Sequence, residues 1–463
     1  MNPIQLFGQA TKSRNPVVSS QKRVNMYLEQ NDDKTQLVAY GTPGTVLSHN
    51  LGFDSVRGWQ EIVGNLYAVH GESFVEINGT TVTSLGTLGT ASGRVSIANN
   101  GIQMMIVDGA YGYIYTFATG SFVKITDADY PKTCDTVTFL DGYFIVNKSG
   151  TGQFFISKLY DGLVWNALDF ATAESNPDNL RVVFSDHGQL MLLSRLSTEF
   201  WVNTGEVDFP FSRISQVTAE FGIAANWSIT KFAGSVVWLA RNREGGVQVV
   251  KMSGSSPESI MTPDISAIFD SYTTVKDATG FSYTHNGHPF YQINFPTEGE
   301  SWLYDGSMGL WSQLRSYNLT RQRFDLSVNF LDKTYFADFN NGKIYKLDDS
   351  IYTENGHPIE SELISKHVFN GLSRFSIQAL QVDIETGVGL STGQGSDPQI
   401  MLQISKDGGH TWGNERWATM GKIGEYKSRA RWLRLGQARD WVFKLRISDP
   451  VKRVILGAYI IGS

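Results

Sequence analysis

Asn-Gly and Asp-Gly pairs punctuate the chain, and this restricts its possible folds more than any other feature. Six Asn-Gly and five Asp-Gly pairs occur in 463 residues. Such pairs tolerate φ > 0, which a two-residue type I′ hairpin turn requires and most side chains resist. Apolar runs flank them. Those at 66–69 and 74–77 lead to Asn78-Gly79, the one at 103–107 meets Asp108-Gly109, and the one at 136–140 meets Asp141-Gly142. Further on, 301–304 turns at Asp305-Gly306 into 310–314. The first turns recur about every 30 residues and later units run longer, the length of a blade-like sheet of three or four strands. Asn286-Gly287-His288-Pro289 and Asn355-Gly356-His357-Pro358 repeat one turn. These features predict an all-β chain with a β-propeller-like domain of short antiparallel blades over residues 51–358; the spacings do not give the number of blades. One or two helical turns are expected within 257–269, inserted between units.

Residues 1–50 read as an arm. A short strand at 23–27, a polar turn at Asn31-Asp32-Asp33-Lys34 and a second strand at 37–40 end at Gly41-Thr42-Pro43-Gly44. Two short strands bury little alone, so the arm is expected to pair with a sheet elsewhere, the carboxy-terminal one. Residues 359–463 are expected to form a β-sandwich-like platform module. Within it Trp441, Phe443, Leu445 and Ile447 alternate with polar or smaller residues, the period of a strand with one buried face, and Pro450 ends the run. Just upstream, Ser405, Asp407, Gly409, Thr411 and Trp412 fit the Asp-box turn Ser-x-Asp-x-Gly-x-Thr-Trp. In that reading Asp407 accepts hydrogen bonds from its own turn and Trp412 tucks beneath as an apolar plug. An Asp-box speaks for fold and little for chemistry.

Composition removes several function classes. The single cysteine, Cys134, leaves no internal disulfide and fits folding in a reducing cytoplasm. The amino terminus lacks a signal-peptide pattern, and no apolar window approaches the length of a membrane span. A net charge of −6 argues against a dedicated nucleic-acid binder. Charge is unevenly placed, however. Residues 401–453 hold 12 Lys+Arg against 5 Asp+Glu, a surplus of 7, so the remainder carries −13. Solvated strand faces are the plain reading of those bases; a polar surface between subunits is the sharper one.

No catalytic residue, cofactor or metal site is predicted. Gly-x-Ser-x-Gly, His-Glu-x-x-His and paired-cysteine patterns do not occur. His285 and His288 flank a turn without a Cys or carboxylate cluster in the sequence beside them, so they read as surface turn residues rather than metal ligands. Asp108, Asp141, Asp161 and Asp305 each precede glycine, where local turn bonding accounts for them.

Several segments resemble a known family. They are the run 405–417, Gly424-Glu425-Tyr426-Lys427, the run 434–440 and Ser448-Asp449-Pro450. Others are the run 23–27 with Gly41-Thr42-Pro43-Gly44, Gly93-Arg94-Val95-Ser96-Ile97, and the run 302–306 with Leu310-Trp311. In these the chain is similar to the tail hub proteins of short-tailed phages, also called packaged-DNA stabilisation proteins and similar in role to tail nozzle proteins. The resemblance implies a non-enzymatic virion protein of the tail, made in the host bacterial cytoplasm. It further implies a homohexameric ring below the portal–adaptor complex that closes the filled capsid and conducts the genome at ejection. Implied partners are other copies of the chain, the portal–adaptor complex, and a tail needle, spike or fibre protein. Double-stranded DNA would pass through the lumen without specific binding. The rival expectation is a sialidase-like glycan hydrolase acting on host surface polysaccharide, since Asp-boxes also occur in such enzymes.

Overall fold

In the computed structural model, which describes residues 2–9, 13, 15, 18–31, 36–173, 178–254, 256–371 and 373–462, most of the turn pairs become hairpins and the runs between them strands, whereas Asp161-Gly162, read as a turn, opens the strand Asp161–Thr172. The polar turn expected at 31–34 falls largely on residues outside that set. Seven antiparallel sheets follow in order: 56–87, 96–124, 137–172, 180–219, 222–259, 279–314, and 324–348 completed by Gly44–Asn50. Residues from all seven line one axial cavity of about 510 Å³, and the last sheet packs on the first. The chain therefore builds a seven-bladed β-propeller. Gly44–Asn50 closes it, pairing antiparallel with Lys343–Asp348 from Gly44↔Asp348 to Asn50↔Lys343. Gly44 has to be glycine there, because a Cβ would collide with the Ile351 carbonyl oxygen.

The blade repeat differs from the turn spacing seen in the sequence. Asn78-Gly79 joins the third and fourth strands of blade 1, Asp108-Gly109 the second and third of blade 2, and Asp141-Gly142 the first and second of blade 3. Their even spacing is therefore not the period of the fold. Likewise, Asn286-Gly287 turns within blade 6, whereas Asn355-Gly356 closes a two-residue ladder beside the closing strand. The expected helix is Pro263–Asp270, begun by Thr262, whose side chain accepts from Ile265 N. Its Phe269 packs against Phe295, Trp302 and Trp311 of blade 6.

The remaining strands form a two-sheet sandwich. One sheet runs Met26–Asn31, Gln36–Gly41, Val454–Gly462, Phe375–Ile384, Ala430–Ala438, with Asn2–Ile4 added on Val454–Gly462. The other runs Lys22–Val24, Ser361–Ile364, Asp440–Ile447, Gln399–Ser405, Arg416–Thr419. Trp441, Phe443, Leu445 and Ile447 all face the core between them, against Leu380, Val382, Trp432 and Ile455.

Propeller and sandwich share a strand. Lys22–Val24 pairs parallel with the outer strand of blade 6 at Val24↔Gln313 and antiparallel with Ser361–Ile364, so blade 6 continues into the sandwich as one ladder. Beyond it Asn25 is buried at φ 54°. Its Nδ2 donates to Arg315 O at 2.8 Å and Glu360 O at 2.9 Å, and its Oδ1 accepts from Arg315 N at 2.9 Å. One side chain thus binds blade 6 and the entry to the sandwich together. Asn25→Ala leaves three partly buried backbone groups without their side-chain partner and puts alanine, which tolerates φ > 0 less well than asparagine, at φ 54°, for a loss of about 2–4 kcal/mol. Asn25→Gly keeps the conformation and loses the bonds, so it should cost nearly as much in chemical denaturation. A glycine variant as stable as wild type would contradict the bonding role.

Candidate functional site

The turn expected as an Asp-box follows strand Gln399–Ser405 of the sandwich. Ser405 Oγ donates to Asp407 Oδ1 at 2.6 Å and accepts from Gly409 N at 2.8 Å. Asp407 also accepts from His410 N at 3.1 Å, from Thr411 N at 2.9 and 3.1 Å, and from Thr411 Oγ1 at 2.5 Å. The Ser405 and Thr411 hydroxyls, then the turn amides, hold this carboxyl well below the usual carboxylate range although it faces solvent. Gly408 and Gly409 sit at φ 75° and 91°, with Ser20 against Gly409. Trp412 differs from the expected plug. It is half-buried, and the Lys444 ammonium lies 4.4 Å from its ring centre, so one face is capped by a cation rather than by core.

The histidines also differ from the sequence reading. Both side chains are buried rather than on the surface, although Asn286 and Gly287 between them are exposed, and Tyr27 of the arm packs against His288. His288 Nδ1 lies 2.8 Å from Asp305 Oδ2 and its ring stacks on Phe290 and meets Tyr27 edge-on. His285 Nε2 lies 3.2 Å from Asp349. Burial pushes the His285 pKa down against the pull of Asp349. Among the described residues no group of three or more His, Cys, Asp or Glu is placed to hold a metal ion. Of the glycine-preceding aspartates, Asp108 accepts from Ala110 N and Tyr111 N, Asp161 from Leu163 N, and Asp305 from Ser307 N as well as pairing with His288.

Sequence reasoning missed an ionic cluster at the propeller axis. Arg94, at the entry to blade 2, reaches over blade 1 to blade 7, where Nη2 donates to Asp325 O at 2.8 Å and pairs with Asp325 Oδ2 at 2.7 Å. Asp325 also accepts from Thr279 Oγ1 at 2.7 Å and Asn294 Nδ2 at 3.3 Å of blade 6, with Arg321 Nη1 3.5 Å away. Burial alone would raise the Asp325 pKa; Arg94 and Arg321 outweigh it and hold the carboxyl below its ordinary value. Arg57 fixes the approach by donating to the carbonyls of Gly71, Thr90, Ser92 and Gly93. Gly93-Arg94 was visible as a motif; its partner Asp325 carries no local signal, because the pair is brought together by ring closure.

Asp407 lies in the sandwich, His285 and His288 at a turn of blade 6, and Asp325 at the propeller axis, so the three places are separate. No helix among the described residues is long and apolar enough to cross a membrane. Two family models match the chain in tandem. The one described as Bacteriophage P22 Gp10, beta-propeller, covers residues 3–352, and the one described as Bacteriophage P22 Gp10, beta-sandwich, covers residues 360–462. No curated protein matches the chain. Similar solved structures include the N-terminal domain of Nup159, at 12% identity over 71% of this chain and 99% of that one, TM-score 0.42. Another is the extracellular domain of the putative hybrid two component system BT4673 from B. thetaiotaomicron, at 10% identity over 88% and 58%, TM-score 0.45. A third is PorZ, a surface component of the type-IX secretion system of Porphyromonas gingivalis, at 10% over 73% and 45%, TM-score 0.39. Likenesses this low carry no functional weight.

The Asp407 bonds are local and face water, so Asp407→Ala should cost about 1–2 kcal/mol, below the sum for buried charged bonds. Asp407→Asn, which keeps one acceptor oxygen, should cost less in the same thermal unfolding series. Equal melting of Asp407→Ala and wild type would show that the turn stands without its carboxylate.

Proposed function

As the chain belongs to the Bacteriophage P22 Gp10 family of phage tail proteins that stabilise packaged DNA, we propose that six copies form a hub or nozzle ring below the portal–adaptor complex. In this reading the ring closes the filled capsid, contacts a needle, spike or fibre protein distally, and serves as the conduit at ejection. The chain is a virion protein of the tail. The observation that carries the ring proposal is the tandem match, which spans the propeller and sandwich and breaks between 352 and 360, next to the shared strand joint.

Physical arguments support the reading. The propeller axis offers about 510 Å³ and is bordered by Trp59, Arg94 and Trp227, too little for a duplex. A genome passage therefore has to lie between protomers, which calls for a ring. A conduit also works best when it binds its cargo weakly, because each neutralised phosphate adds affinity and drag. The overall negative charge suits that role. Asp407 is consumed by its own turn, which leaves it no free role as a general acid, and we propose that the protein is not an enzyme.

Mass photometry of the protein with portal–adaptor complex should give a ring of six copies, with single protomers in its absence; monomers alone in both conditions would contradict the ring. Incubation with sialyl-lactose or host surface polysaccharide should release no sugar. Turnover that a single Asp or Glu substitution abolishes would instead establish the hydrolase.

A further inference from the structure

The sandwich has an open side away from the propeller joint. Edge strands Arg416–Thr419 and Ala430–Ala438, one from each sheet, meet there, tied by Trp432 Nε1 donating to Arg416 O at 3.1 Å. Edge strands are commonly protected by charge, and Arg416, Arg431 and Arg434 fit that rule. The apolar residues beside them do not. Trp417 is 62% exposed and Leu433 57%, and the connecting segment adds Ile423 at 64% and Tyr426 at 75%. Trp417 and Leu433 stand on the outer faces of the two sheets at this shared edge, with Ile423 and Tyr426 in the segment between the strands, and exposed apolar groups of this size mark an interaction surface. Among the described residues, the three arginines enter none of the ion pairs.

We propose that this open side docks on the propeller of a second copy of the chain, head to tail. The inference rests on the ring reading and names its contact surface. Charge selects the occupant: residues 401–453 carry a surplus of 7 positive charges and the remainder of the chain −13. DNA phosphates would satisfy the arginines but give Leu433 and Ile423 nothing to bury against, whereas an acidic protein surface with apolar residues satisfies both. Blade 4 presents such a surface at its tip, where exposed Glu206 and Asp208 flank Val207, itself 99% exposed. A heterologous contact between two different patches of one chain is the kind that closes into a ring.

Charge reversal tests it in the presence of portal–adaptor complex. Arg431→Glu/Arg434→Glu, and separately Glu206→Arg/Asp208→Arg, should each lower the ring yield by about tenfold or more, and the chain carrying all four reversals should regain it. Trp417→Ala/Leu433→Ser should lower the yield with unchanged melting temperature, since these side chains face solvent. Normal rings from the arginine and Trp417/Leu433 variants would overturn this surface while leaving the ring intact. Loss of duplex binding in the arginine variant, with rings unaffected, would assign the surface to DNA and overturn the proposal. Failure of the four-reversal chain to recover would overturn the pairing with blade 4. Absence of rings in wild type would instead remove the ring reading itself.

Discussion

The structure depends on a three-residue strand. Lys22–Val24 is at once the fifth strand of blade 6 and an edge of the sandwich, and without it the two sheets have no common hydrogen bonds along that ladder. The described strands amino-terminal to the propeller lie on either side of this strand in the chain. Residues on both sides of the shared strand reach the sandwich, since Asn2–Ile4 pairs with Val454–Gly462 and Met26–Asn31 with Gln36–Gly41 in the same sheet. The chain then passes directly into Gly44–Asn50, which closes the propeller. A single stretch of about 50 residues thus closes the ring of blades, joins it to the second module and contributes to that module's core. The sequence reading made 1–50 an arm that pairs with the carboxy-terminal module; its last strand, Gly44–Asn50, pairs with blade 7, which supplies three strands and lacks a fourth.

Two buried guanidiniums brace this joint. Arg23 donates to Trp311 O at 3.0 Å and Gly8 O at 3.2 Å, and Arg453 to Ile359 O at 2.7 Å and Thr42 O at 2.6 Å. Both are paired with carbonyls rather than carboxylates, and burial lowers each to about 10, so they remain charged at neutral pH. Burying such a charge is costly, and the return is geometric: a planar fork fixes two carbonyls from different segments at once, which a lysine does not. Gly41 permits the packing, because a Cβ there would stand 2.5 Å from Arg453 Nε. The Arg94–Asp325 cluster does the same at the propeller axis, linking blades 2, 6 and 7.

Much of this was legible, and the failures have physical causes. Strands and fold class followed from alternation and turn chemistry, because both are local. The blade period did not, since equivalent first turns of the blades use different residues: Val63-Gly64, Asn100-Gly101, Asp141-Gly142, His187-Gly188, Ala233-Gly234, Asn286-Gly287 and Leu331-Asp332. Val63 at φ 48° and Leu331 at φ 49° adopt a conformation their side chains disfavour, so no propensity rule finds them. His285 and His288 looked like surface residues because a hairpin tip normally is one; Tyr27 of the arm, which packs on His288, comes from more than 250 residues earlier in the chain, and Asp349 beside His285 from beyond blade 7. Trp412 was misjudged for the opposite reason, as nothing in an Asp-box shows that a lysine from a neighbouring strand will take the place of core. Asn25 and Arg23 lay within a recognised motif, yet their partners Trp311, Arg315 and Glu360 are set by topology alone.

Calorimetry of the intact chain tests the shared-strand account most directly. If Lys22–Val24, Asn25 and the two arginines bind propeller and sandwich into one body, heat unfolding gives a single transition whose calorimetric and van't Hoff enthalpies agree. Two resolved transitions in the wild-type protein, one for each module, would contradict it.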